Sequence, residues 1–214
     1  MHLPDGILPL PLTLGGYAAS VLVAAFCLRR IRRMPDPYQE VPRAALLTAA
    51  FFIASLVHFP LPPVSVHLVL NGLLGVILGW FAFPAILVGL FLQAVMFGHG
   101  GLTTLGVNGL VLGLPALAAF ALFRLHRLWP AAGRRRAAVV AGFIAGAGGI
   151  ALAVALFGLV LFSHLPAHLD PAVERMAFLA LVIAYLPVMV LEGVLAAVLV
   201  AFFLRAGPGL LERQ

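Results

Sequence analysis

The chain opens Met-His, and those two residues alone offer one ion three nitrogens. The free amine of Met1, the deprotonated amide of His2 and the Nδ1 of its imidazole close two adjoining chelate rings in nearly one plane. Ions that favour square-planar geometry and polarise strongly, Ni(II) and Cu(II), enforce that deprotonation. Behind them, Pro4, Asp5, Gly6 and Pro9 make a stiff, turn-rich segment suited to folding the N-terminus back over the end of the fold. His67 is placed to supply the fourth in-plane nitrogen. It lies in PLPPVSVHLVLNG, residues 60–72, where a proline-rich loop is expected to feed a helix at about Ser65 to His67. Ser65 is then the expected cap, and Asn71, one turn on and on the same face, the expected hydrogen-bond partner of the ligand. The competing reading makes His67 a hydrogen-bonded residue at a membrane interface.

FGHGGLTTLGVNG, residues 97–109, joins five glycines to paired threonines. Irregular backbone of this kind is tolerated at membrane depth only against protein or a cavity, so the segment reads as a loop gating the site. Thr103 and Asn108 are its expected gating or hydrogen-bonding side chains, and His99 is a ligand, a gate or an interfacial neighbour. Alternatively, the glycines only let helices approach closely. Glu192 stands in the middle of an apolar run, where a carboxyl costs a few kcal/mol unless paired or protonated. It either bonds an interrupted helix or loop, or stands on an ion or proton path.

The elements that must position these groups follow from composition. Hydrophobic residues make up 64% of the chain and charged ones 9%, with a mean hydropathy of +1.15, too few charges to clothe a soluble domain. Apolar runs at about 12–28, 44–59, 67–82, 84–98, 105–123, 137–163 and 176–204 predict an all-α, seven-helix transmembrane bundle as one domain. Residues 1–11 form its metal-binding segment on the outer face, 12–205 the bundle and 206–214 a cytoplasmic tail. Trp80-Phe81-Ala82-Phe83-Pro84 predicts a tight hairpin between the third and fourth helices. Small residues at helical spacing, Gly16, Ser20 and Ala24 on the first helix and Ala45, Ala49, Ala50 and Ala54 on the second, are candidate docking faces for a partner, or packing faces within the chain.

All 13 basic residues are arginine, and seven crossings place every one but Arg175 on a single side. By the positive-inside rule that side is cytoplasmic, the N-terminus is outside and the C-terminus inside, as expected of a multi-pass protein of a bacterial or archaeal inner membrane. The same count puts His2, His58, His67, His99, His164 and His168 at the outer face and His126 within. Imidazole binds metals and titrates near neutrality, so metal capture and proton sensing are the two readings of that asymmetry. The net charge of +6 does not point to nucleic acid, because the arginines flank apolar runs. Without lysine there is no phosphate-loop motif, and no HExxH pair accompanies Glu192, so neither ATP hydrolysis nor metalloprotease chemistry is expected. Cys27 reads as a small buried hydrophobe. The opening MHLPDGILPLP, without a positive charge or a small-residue cleavage site, does not read as a signal peptide, and the mature chain is expected to begin at Met1.

MHLPDGILP, SVHLVLNGLLGVILG, QAVMFGHGGLTTLGVN and LPVMVLEGV, in that order, resemble the CbiM/NikM family, the cobalt/nickel substrate-binding S component of energy-coupling-factor (ECF) transporters. The resemblance implies an S component that binds its metal through the Met1 amine, the His2 amide and imidazole, and the imidazole of His67. It also implies power from a transmembrane coupling protein and a pair of ATPase subunits, with a small auxiliary membrane subunit in some systems. The cargo is Ni(II) or Co(II), nickel favoured because it suits four planar nitrogens, and no organic cofactor is expected. The chain departs from the family around His67, where Gly-Thr-Ser-Gly-His is usual, and at His99, where aspartate is frequent.

Overall fold

The computed structural model describes residues 2–61, 64–164 and 170–207. Its helices are α1 (Leu10–Ile31), α2 (Val41–Leu56), α3 (Asn71–Leu78), α4 (Ala82–Phe97), α5 (Leu105–Arg124), α6 (Ala131–Ser163) and α7 (Pro171–Ala206). Among the described residues, five helical stretches are long and apolar enough to cross a membrane: Leu10–Ile31, Asn71–Phe97, Leu105–Leu128, Ala131–Ser163 and Pro171–Ala206. They carry apolar side chains outward, among them Leu14, Val21, Leu22, Ile183 and Val198, as a lipid-facing surface requires. The protein is a multi-pass integral membrane protein.

The stretch Asn71–Phe97 is not straight. Gly79 has φ +56° and ψ −121°, which ends α3 and turns the chain through a short 3-10 segment into α4. The contacts on α5 show the reversal. Asn71 reaches the carbonyl of Leu112, and Gly75 lies against that of Ala116, so α3 descends beside α5. Phe83 then meets Gly113 and Leu87 meets Gly109, so α4 climbs back. α5 is the axis of the molecule, packed by α1, α3, α4 and α6, while α6 and α7 form an antiparallel pair. At the crossing of α3 on α6, a Cβ on Gly72 would sit 2.3 Å from the Ala145 carbonyl oxygen, so only glycine lets the two backbones meet.

The expectation of uninterrupted helix on both sides of the proline-rich loop is corrected. α2 ends at Leu56 rather than near 59, and α3 begins at Asn71 rather than at 67. Between them lies an antiparallel hairpin of β1 (His58–Leu61) and β2 (Val64–His67), with His58 opposite His67. Val-Ser-Val-His alternates with period two and is rich in β-branched residues, which fits a strand better than a helix end. Ser65 therefore caps no helix, and Asn71 is not one helical turn from His67. The Asn71 amide instead donates to the carbonyls of Gly149, at 3.1 Å, and Leu112, at 3.4 Å, while its oxygen accepts from Gly72 N–H, tying α3 to α5 and α6. The docking reading of α1 is corrected too. Gly16 is buried against Val107, and the Ser20 hydroxyl donates to the Gly106 carbonyl at 2.6 Å, so that face packs within the chain.

Candidate metal centre

At one end of the bundle four imidazoles converge. The rings of His2 and His67 are stacked with centroids 5.4 Å apart and 25° between planes. His99 meets His2 edge-on at 4.4 Å, and His58 lies 5.2 Å from His67 and 5.0 Å from His99. One nitrogen from each of His2, His67 and His99 lies within 4.8 Å of the other two, a spacing that a shared ion closes with small ring movements. Met1 lies outside the described residues.

His2 is held by the backbone that follows it. Leu3, 1% exposed, is paired on both sides of its peptide unit: its N–H donates to the Asn108 side-chain oxygen at 2.9 Å, and the Asn108 amide donates back to its carbonyl at 3.0 Å. The Thr104 hydroxyl donates to the same carbonyl at 2.6 Å. Two residues on, the Asp5 carboxylate accepts from the backbone N–H of Thr103, at 2.8 Å, and of Leu102, and from the Thr103 hydroxyl. These bonds, the Thr103 hydroxyl first, hold the Asp5 carboxyl below its usual range. Gly101 makes the dock possible, because a Cβ there would fall 2.2 Å from an Asp5 carboxylate oxygen. The N-terminal segment is thus strapped across the start of α5, and the strap aims His2 inward.

Asn108 is the strap's buried anchor. Asn108→Ala leaves the Leu3 N–H without its acceptor, a loss of about 1–3 kcal/mol. The variant is expected to melt at a lower temperature by circular dichroism, with its helix content before the transition unchanged.

His67 is placed from below. Its Nδ1–H donates to the Leu68 carbonyl at 2.9 Å, and since a carbonyl only accepts, the tautomer is fixed with the lone pair on Nε2. Beneath it the Glu192 carboxylate of α7 accepts the N–H of Val69 and, at 2.8 Å, that of Leu70. Leu70 has φ +53°, a left-handed conformation that costs an ordinary residue about 1–3 kcal/mol. Two bonds from a buried carboxylate at the positive end of α3 offset that strain and fix where strand gives way to helix. In this fold Glu192 bonds an interrupted backbone.

Burial, reinforced by the neighbouring imidazoles, holds His2 well below the ordinary histidine range and pushes His67 down to about 3 and His99 to about 4. Burial thus disfavours the protonated form of all three rings. Both nitrogens of His2 and Nε2 of His99 are buried without a hydrogen-bond partner among the described residues. Most buried side-chain polar atoms have a hydrogen-bond partner, so these three nitrogens stand out.

Of the residues singled out in the sequence, His2, His67 and His99 come together, and Thr103 and Asn108 hold the strap rather than line an opening. Asn71 and Glu192 hold backbone. Ser65 lies in β2. His164 is exposed at the C-terminal end of α6, and His168 lies outside the described residues. Sequence reasoning missed Thr104, Asp5 as a tie, and His58 as a neighbour of the cluster.

A family model described as the cobalt uptake substrate-specific transmembrane region, CbiM, matches residues 2–210. The chain belongs to the CbiM family. A Haemophilus influenzae protein named for metal transport is 36% identical over 214 residues, all of this chain and 98% of that one. The cobalt transport protein CbiM of Sorangium cellulosum is 32% identical across all of this chain and 95% of its own length. The fused nickel transport protein NikMN of Rhodobacter capsulatus is 36% identical over 99% of this chain, which spans 64% of that longer protein. A crystal structure described as that of a transition metal transporter superposes with a TM-score of 0.71 at 24% identity, covering 96% of this chain and 93% of the other, and so shares the fold. Relatives in this family are named for cobalt and nickel transport.

Proposed function

We propose that this CbiM chain is the substrate-capture S component of an ATP-driven ECF-type importer of a divalent transition metal, nickel favoured over cobalt. The ion is substrate, held by the Met1 amine, the amide and Nδ1 of His2, and the imidazole of His67. The observation that carries this reading is the strapping of the N-terminal segment onto α5, which delivers the two unpaired, buried nitrogens of His2 to the ring of His67. A segment tied by six hydrogen bonds to Asn108, Thr104, Thr103 and Leu102 is preorganised, so little ordering cost remains when the ion binds. Imidazole, amide and amine nitrogens suit nickel and cobalt, and a planar set of four favours Ni(II).

In this reading the chain crosses the bilayer seven times. α2 counts as a crossing despite its 16 residues, and α3 and α4 count separately because of the reversal at Gly79. The histidine end faces outward, and the arginine ends of α1, α5 and α7 and the start of α6 face the cytoplasm. A coupling membrane protein and a pair of ATPase subunits drive the ion across, with a small auxiliary subunit where the system has one. No catalysis is assigned to this chain.

The test is the metal content of untagged protein purified in detergent and loaded with Ni(II). One nickel per chain is expected. Protein that stays metal-free yet changes conformation as pH falls would instead make the cluster a proton sensor, or point to a different substrate.

A further inference from the structure

The four nitrogens assigned above leave the faces of a planar ion open, and they leave the Nε2 of His99 unexplained. That nitrogen is buried and has no hydrogen-bond partner among the described residues. Its ring is inclined 65° to His2 and 79° to His67, steeply across both stacked rings rather than alongside them. Nor is it free to swing away with its backbone. Gly98, at φ +61°, ends α4 in a left-handed turn, and the His99 N–H donates back to the Gln93 carbonyl at 3.1 Å, clamping the residue to the helix end. On its other side Gly100, at φ +81°, turns the chain again, and a Cβ there would touch the Cβ of His2 at 3.5 Å. Two glycine turns thus press His99 and His2 together. His58, the fourth ring, is exposed, and its Nδ1–H donates to the Leu56 carbonyl at 2.9 Å, so it stands outside the three.

We propose that His99 is a direct ligand of the transported ion, binding through Nε2 at the apex above the nitrogen plane and making the site five-coordinate. This rests on the Met1, His2 and His67 reading and refines its substrate class. A strictly planar set discriminates for Ni(II), whereas an apical imidazole gives Co(II) a coordination it accepts readily, so His99 widens the cargo from nickel alone to nickel and cobalt.

The experiment uses the untagged full chain in detergent with one equivalent of Ni(II), read by nickel K-edge X-ray absorption, in which a planar, axially open ion has a pre-edge feature that a fifth ligand removes. The wild type is expected to lack that feature, and both His99→Phe, which keeps the ring volume without the nitrogen, and His99→Ala are expected to gain it while still binding one ion. Cobalt affinity should fall more than nickel affinity in both variants. A planar wild-type spectrum, or variants whose spectra match a five-coordinate wild type, would overturn the proposal while leaving the four-nitrogen site standing. A wild type that binds no nickel would overturn the underlying site itself.

Discussion

Protein carrying even a short extension ahead of Met1 is expected to lose at least roughly a thousandfold in nickel affinity, about 4 kcal/mol. An acylated Met1 nitrogen has no lone pair to give. The His2 amide then sits mid-chain without the adjoining chelate ring that draws off its proton, so two of the four planar nitrogens go together. Leu3 still has its partners on Asn108 and Thr104, so the strap and the fold are expected to survive. Calorimetry before and after proteolytic removal of a tag that leaves Met1 free makes the comparison within one preparation. Affinity should return on cleavage, and a tagged protein that binds nickel as tightly as the cleaved one would remove the amine from the site.

The second large effect is at the imidazoles. His2→Ala and His67→Ala are each expected to weaken nickel by roughly a hundredfold or more, and the double variant to bind none at high affinity. Stability should be spared in the first case, because neither His2 nitrogen makes a hydrogen bond among the described residues. In the second the Leu68 carbonyl loses its donor, a loss of about 1 kcal/mol at the mouth of the site, where water can replace it. Melting followed by circular dichroism separates these outcomes from misfolding. Full nickel affinity in a folded double variant would sink the assignment.

What the sequence revealed, and what it hid, divides along the range of the interactions. The proposed chelate of Met1 and His2 is local, so adjacent residues suffice to suggest it. Glu192 was conspicuous because a carboxyl amid twenty apolar neighbours must have a reason, and its partners proved to be the N–H groups of Val69 and Leu70. Those partners lie more than 120 residues away and could not be named beforehand. The same is true of Asn108 and Thr104, whose block of glycine and threonine marked an unusual backbone but not its occupant, a strap from 101 to 105 positions upstream. The hairpin holding His67 was hidden for a different reason. Val64–His67 is too short for period two to stand out within an apolar run, and helix was the default for such a run in a membrane protein. With the helix went the inferred pairing of His67 and Asn71, although His67 itself still reached His2. The seating of His99 could not be read either, since it depends on a helix end reversing at Gly98 and on where the N-terminus lands.

The most direct measurement is anomalous X-ray diffraction at the nickel edge from crystals of untagged protein loaded with Ni(II). A single strong peak is expected between the rings of His2 and His67, within bonding distance, about 2 Å, of their nitrogens and of the Met1 amine. A peak elsewhere on the molecule, or ordered His2 and His67 rings with no peak between them in nickel-loaded crystals, would contradict the proposed centre.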